Sequence, residues 1–166
     1  MAEAKRWLNF IEKGGNNKGE IVEMFQRAVD NKAEGEPWCA SFTQYCIKQV
    51  DILAKELMAT NGRESEIFKS EHCWTMWVNS PPECKRNIPQ FGFIAIWRHT
   101  MGTNGHCGIV VGVDSESQEF TTIEGNTSPN NRGSQREGDG VFMKKRGSII
   151  GDLQLIGFLN PWPDLG

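Results

Sequence analysis

The sequence predicts an α+β domain in which N-terminal helices pack on an antiparallel sheet of about five or six strands. Three observations carry that expectation. Apolar residues in the first third recur at helical spacing, at Ile21, Met24, Phe25 and Ala28 and again at Phe42, Cys46, Ile47, Val50 and Leu53. After Ile88 the pattern changes to short runs rich in Ile, Val, Phe and Thr, separated by Gly, Asn and Ser. The two central runs are joined by the polar DSESQ, which favours a hairpin. Helices followed by strands, without alternation, give segregated layers.

In chain order, 2–13 is expected as a short amphipathic helix with Trp7, Leu8 and Ile11 inward, and GGNNKGE as a turn whose Gly and Asn accept positive φ. Glu20–Asp30 is expected as the second helix, closed by NKAEGEP. The third begins at Cys39, runs through 59 and stops at TNGRE. Residues 67–88 read as a short helix and an irregular loop around Asn-Ser-Pro-Pro, with Trp74 and Trp77 at i, i+3 forming core or cleft wall. Strands are expected at 92–99, 105–114, 119–125, 140–145 and Leu153–Leu159.

At 166 residues the chain is expected to form one domain, 1–166, large enough to bury its own core. A net charge of -3 offers no electrostatic footprint for nucleic acid, and no basic amphipathic segment points to a membrane surface. MAEAKRWLNF lacks the apolar centre of a signal peptide, so synthesis in the cytoplasm and export by another route are expected. Five irregularly spaced cysteines without a CxxC pair argue for reduced thiols over a disulfide framework.

Four residues have spacing and context that suit nucleophilic chemistry. In EPWCASF, Pro37 and Trp38 break the preceding helix and set Cys39 at the start of the next. The helix N-terminus favours an anion there, which makes Cys39 a candidate nucleophile, although most free cysteines are packing residues. Cys46, on the apolar face, is read as packing. His106 is expected at a strand entry, near the sheet edge and open to a cleft. A hairpin closing at DSESQ would bring His106 alongside Glu124, with Asn126 two residues beyond. A thiol, an imidazole and an orienting carboxylate or amide are what acyl transfer needs. Glu124 is read as the direct partner of the imidazole, with Asn126 helping to fix the site or the substrate. Trp38, Trp97 and Arg98 are candidates to line the cleft, and Trp38 fits equally as a core anchor. His72, Cys73 and Cys84 lack the paired spacing of structural zinc ligands, so neither metal nor cofactor is expected.

These pieces resemble the CHAP family, the cysteine, histidine-dependent amidohydrolase/peptidases, within the papain-like NlpC group of cell-wall hydrolases. The matching stretches are KGGNNKGEIVEMF, EPWCASF, GHCGIVVGVD and TTIEGNTS followed by DGVFMKKR, in that order over most of the chain. The resemblance implies a papain-like fold, cleavage of amide bonds in peptidoglycan peptides, and a Cys-His-Glu-Asn set at Cys39, His106, Glu124 and Asn126. Two departures are Gly92-Phe93, where relatives usually have Gly-Asp, and a second thiol, Cys107, directly after the histidine. The expected partner is the peptidoglycan peptide. For a protein injected by a secretion machine, rather than a phage lysin, an immunity or delivery protein is added. The competing readings are a toxin-type cysteine protease or deamidase acting on a protein, and a catalytically silent wall-binding module.

Overall fold

The computed structural model describes residues 2–57, 64–114, 116–117, 119–129 and 138–163. Among the described residues four α-helices, α1 (Ala2–Arg6), α2 (Glu20–Asp30), α3 (Cys39–Glu56) and α4 (Cys73–Asn79), precede the sheet. Its strands are β1 (Lys85–Arg86), β2 (Ile94–His99), β3 (Gly105–Val113), β4 (Phe120–Thr127), β5 (Gly140–Arg146), β6 (Ile149–Ile150) and β7 (Leu153–Leu159). All pair antiparallel in the order β1-β7-β2-β3-β4-β5, with β6 alongside β7. The fold is α+β, as expected. Its five longer strands are the five the sequence predicts, and β1 and β6 add two residues each. Among the described residues no helix is long and apolar enough to cross a membrane.

The first helix is shorter than expected. It stops at Arg6, and Asn9 takes a left-handed φ of 66°. The chain then extends along β5: Asn9 N–H donates to Val141 O at 2.9 Å, Val141 N–H to Phe10 O at 3.0 Å and Glu12 N–H to Asp139 O at 2.7 Å. Open backbone groups on the β5 edge outweigh the weak helical preference of this short segment. Trp7 still turns inward, edge-on to Phe25 at 5.1 Å, whereas Ile11 is 41% exposed. The predicted end of the third helix at 59 and the TNGR of its stop lie outside the described residues; α3 ends at Glu56 with Leu57 as its cap.

Burial on α3 departs from a simple stripe. Its first half, Cys39 to Gln44 with Cys46 and Ile47, is buried on every side, while Leu53 is 53% exposed. One flank packs on Phe25 and Val22 of α2, and another on Ile109, Ile123 and Val141 of the sheet. A third meets α4 and β2 through Cys73, Met76, Ile94 and Ile96. The opposite sheet face buries Phe93, Ala95, Trp97, Val110, Phe120 and Phe158 against Ile150 and Leu153. Residues 93 to 97 thus alternate strictly between the two cores, as a strand buried on both faces requires.

Candidate active site

The loop before α3 is held by side chains from three segments. Gln26 Nε2 donates to Glu36 O at 2.8 Å and to Asn17 O at 3.3 Å, tying the 13–19 turn to the chain entering the helix. Trp38 stacks on Phe25 with ring centroids 5.7 Å apart, and its Nε1–H donates to Glu12 Oε2 at 3.1 Å. Cys39 follows as the first helical residue, and Phe42 N–H closes the first turn on Trp38 O at 2.9 Å. On the next turn Gln44 takes both backbone groups of Ser70, accepting from its N–H at 3.0 Å and donating to its O at 2.5 Å. That clamp sets the start of α4 against the start of α3, with Cys73 Sγ 3.6 Å from Cys39 Sγ.

The imidazole is positioned from the sheet. β3 lies between β2 and β4, and His106 on it is fully buried, so the expected edge location open to a cleft is corrected to an interior strand. His106 shares a face with Trp97, its partner across the β2–β3 ladder, and their rings lie 6.3 Å apart.

What brings Glu124 to that face is a one-residue bulge. Near the turn Val113 pairs with Phe120 and Gly112 with Thr121. Farther along, Val110 pairs with Thr122 and Ile109 with Ile123, which leaves Val111 as the extra residue. Without the bulge Glu124 would stand opposite Ile109, on the helix side. With it Glu124 stands beside Gly108, where a Cβ would lie 2.5 Å from Glu124 Cγ. Glycine at 108 makes the space for the carboxylate.

Glu124 has no exposed surface and is fully engaged. His106 Nε2–H donates to Oε2 at 2.8 Å, Thr122 Oγ1–H to Oε1 at 2.5 Å, and Arg146 donates to both oxygens, from Nε at 2.7 Å and from a terminal nitrogen at 2.5 Å. Burial works against the charge on Glu124, but the Arg146 hydrogen bonds and the His106 charge hold its carboxyl down at about 2. Burial likewise opposes the imidazolium. The Glu124 charge and then the Cys39 sulfur outweigh it and raise His106 to about 9. Nδ1 is buried and makes no hydrogen bond, and the Cys39 sulfur acts on the charge of the ring.

The Cys39 thiol is held well below its ordinary range. The leading causes are the Cys107 and Cys73 thiols donating to its sulfur, followed by His106, with burial opposing. Its neighbours move the other way: burial and then Cys39 push Cys107 up, while Cys107 and then Cys39 push Cys73 up. The three thiols share the site unequally: Cys39 is held low while Cys73 and Cys107 are pushed up. A cavity of about 190 Å³ opens onto Cys39 and Cys73 and is bordered by Glu36, Glu71, His72 and Gly105. Burial and the adjacent Glu36 raise the Glu71 carboxyl to about 7.

A CHAP domain family model matches residues 31–126, more than half of the chain. The chain belongs to the CHAP family. No curated protein and no solved structure matches it. CHAP domains are cysteine- and histidine-dependent amidohydrolases or peptidases, so hydrolysis of an amide-type bond is the class of chemistry that membership implies. In this CHAP chain the expected Cys39, His106 and Glu124 come together. Asn126 is buried at a left-handed φ of 56°, at a register break between Glu124 and Thr127, so strand alternation does not carry from Glu124 to it.

The three expected cleft residues separate. Trp38 and Trp97 are fully buried in opposite cores, and Trp97 Nε1–H donates to Gly147 O at 3.1 Å, so neither offers surface to a substrate. Arg98 stays partly exposed, lies 3.9 Å over the Trp74 ring and donates to Gly102 O at 2.7 Å, which holds the loop leading into β3. His72, Cys73 and Cys84 do not gather. Among the described residues the group with metal-ligand spacing is Cys39, Cys73 and Cys107.

Sequence reasoning missed Arg146 and Thr122. The signal was present for Arg146: period-two alternation in GVFMKKR puts Lys144 and Arg146 on one face, and a buried arginine needs a carboxylate.

Proposed function

We propose that the chain is a peptidoglycan hydrolase that cleaves amide bonds of the cell-wall peptide, as an amidase or endopeptidase, with Cys39 as nucleophile. The observation that carries this reading is the buried His106–Glu124 pair at 2.8 Å, which acts electrostatically on a Cys39 thiol held low, with a cavity that Cys39 lines. Cys39 Sγ attacks the amide carbonyl carbon, forming a C–S bond and a tetrahedral oxyanion. His106, protonated in the resting pair, delivers its proton to the leaving nitrogen as the C–N bond breaks. Neutral His106 then takes a proton from water, whose oxygen attacks the thioester and releases the acid and the thiolate. Glu124 holds the imidazole in one tautomer through Nε2–H, and Arg146 with Thr122 fixes Glu124 in turn.

Membership of the CHAP family and the cleft position of Cys39 support a polymeric peptide substrate. Action on the wall requires that the protein reach the periplasm or cell surface after release or injection. The test is incubation of the purified, reduced protein with peptidoglycan sacculi, with the new termini identified by mass spectrometry. A single class of new amino and carboxyl termini is expected, and none from Cys39→Ala folded to the parent's thermal midpoint. Intact sacculi after treatment with the parent protein would overturn the substrate. Retained hydrolysis in Cys39→Ala would overturn the nucleophile.

A further inference from the structure

We infer that Cys39, Cys73 and Cys107 form a binding site for a soft d¹⁰ cation, zinc(II) in the first instance, whose occupation silences the nucleophile. The three residues come from three elements, the starts of α3 and α4 and the third position of β3. Their Sγ atoms lie within 4.8 Å of one another, all three are buried, and none is in a disulfide.

The spacing suits a metal. With Zn–S bonds of about 2.3 Å, two thiolates of a tetrahedral site stand about 3.8 Å apart. Cys39 and Cys73 are already at 3.6 Å. The ligand set selects the ion, because an all-sulfur site favours zinc or copper(I) over the oxygen-seeking calcium and magnesium. Entry is provided by the cavity, which reaches Cys39 and Cys73 and leaves room for water in a fourth position.

The supports of the three thiols are independent of any ion. Gln44 holds the segment carrying Cys73, and Thr43 Oγ1–H donates to Cys39 O at 3.0 Å while its oxygen lies 3.5 Å from Cys107 Sγ. A site arranged before the ion arrives loses less on ordering.

On binding, Zn–S bonds replace the S–H bonds of the thiols still protonated, Cys73 and Cys107, whose protons pass to solvent, while the Cys39 thiolate coordinates directly and no electron is transferred. The Cys39 lone pair that would attack a carbonyl is then committed to the metal. The binding claim stands apart from the proposed reaction; the silencing claim rests on it.

The probe is cobalt(II), added to fully reduced protein and displaced by zinc(II). A thiolate-to-cobalt charge-transfer band should rise, saturate at one equivalent and vanish on addition of zinc. Cys73→Ala and Cys107→Ala should each weaken zinc binding at least tenfold, whereas Cys46→Ala and Cys84→Ala should bind as the parent does. Circular dichroism keeps the comparison to folded variants, and Cys73→Ser and Cys107→Ser replace any alanine variant that does not fold. Saturation without the charge-transfer band, or unchanged affinity in both cluster variants, would overturn the site.

Hydrolysis of sacculi should fall with one equivalent of zinc and recover fully with a chelator. Cys73→Ala, measured against its own zinc-free rate, should need at least tenfold more zinc for the same loss. Zinc-bound protein that turns over at the zinc-free rate would overturn the silencing. Inactivity of the reduced, zinc-free protein on sacculi would refute the peptidoglycan substrate and leave the cobalt result standing.

Discussion

Glu124 is a buried carboxylate between two cations, and the pH behaviour of the site turns on it. On the proposed mechanism the active resting form is a Cys39 thiolate beside a His106 imidazolium. The rate should therefore fall above about pH 9 as His106 loses its proton, with an acidic limb set by the lowered Cys39 thiol. Glu124→Gln removes the anion that raises His106. The alkaline limb of kcat/KM should move to lower pH, and the rate at neutral pH should drop on the order of tenfold or more, because an amide fixes the ring without favouring its charge. A pH–rate profile of the variant checks both. An alkaline limb left in place would remove Glu124 from the role of charge partner. Asn126→Ala should shift neither limb.

Individual elements contribute position, and two substitutions isolate that contribution. Gly108 lies on β3, where a Cβ would meet Glu124 Cγ at 2.5 Å. Gly108→Ala should displace the carboxylate from His106, lowering the His106 pKa and the rate together while far-UV circular dichroism is retained. NMR titration of the imidazole reads the shift. On the helix side, Gln44 makes both hydrogen bonds to Ser70 from a buried position. Gln44→Ala should cost about 1–3 kcal/mol in urea unfolding through the unsatisfied Ser70 groups. Hydrogen exchange at Ser70 N–H should speed up more than the global loss requires. Cys46, 3% exposed among the residues joining α3 to α2 and the sheet, acts by packing alone. Cys46→Ala should cost about 1–2 kcal/mol with activity retained, opposite to Cys39→Ala.

At the scale of the whole molecule the buried charges link stability to pH. Glu124 titrates at about 2 when folded against an ordinary 4.5, so its contribution is present above pH 4.5 and lost as pH falls through about 2. His106 titrates at about 9 against an ordinary 6.5, so its contribution is complete below pH 6.5 and lost as pH rises through about 9. The pair therefore stabilises the fold most between about pH 4.5 and 6.5. Urea unfolding across this range should show a plateau there and decline on both sides. Glu124→Gln should flatten the decline on both sides. Glu71 has the opposite sign: its folded value of about 7 makes its contribution fall as pH rises from 4.5 through 7, weakened by solvent because the group is partly exposed.

The sequence by itself determined the order of elements, the start of α3 at Cys39, the five longer strands and the residue types of the site. These follow from local causes: a Pro-Trp break before a helical stripe, period-two alternation, and Gly-Asn turns. It also placed His106 and Glu124 on adjacent strands, since hairpin pairing depends on a short span of chain. Only the tertiary structure decided which face each took. The bulge at Val111 changes the register by one residue, and one residue exchanges the faces of a strand. The third-helix stripe misjudged Leu53 because burial depends on what packs around each turn, and neighbours surround only the first half of α3. The pairing of Arg146, on β5, with Glu124 and the gathering of Cys39, Cys73 and Cys107 were beyond local reading for the same reason. Their contacts join residues remote in sequence, and folding, rather than spacing, brings them together.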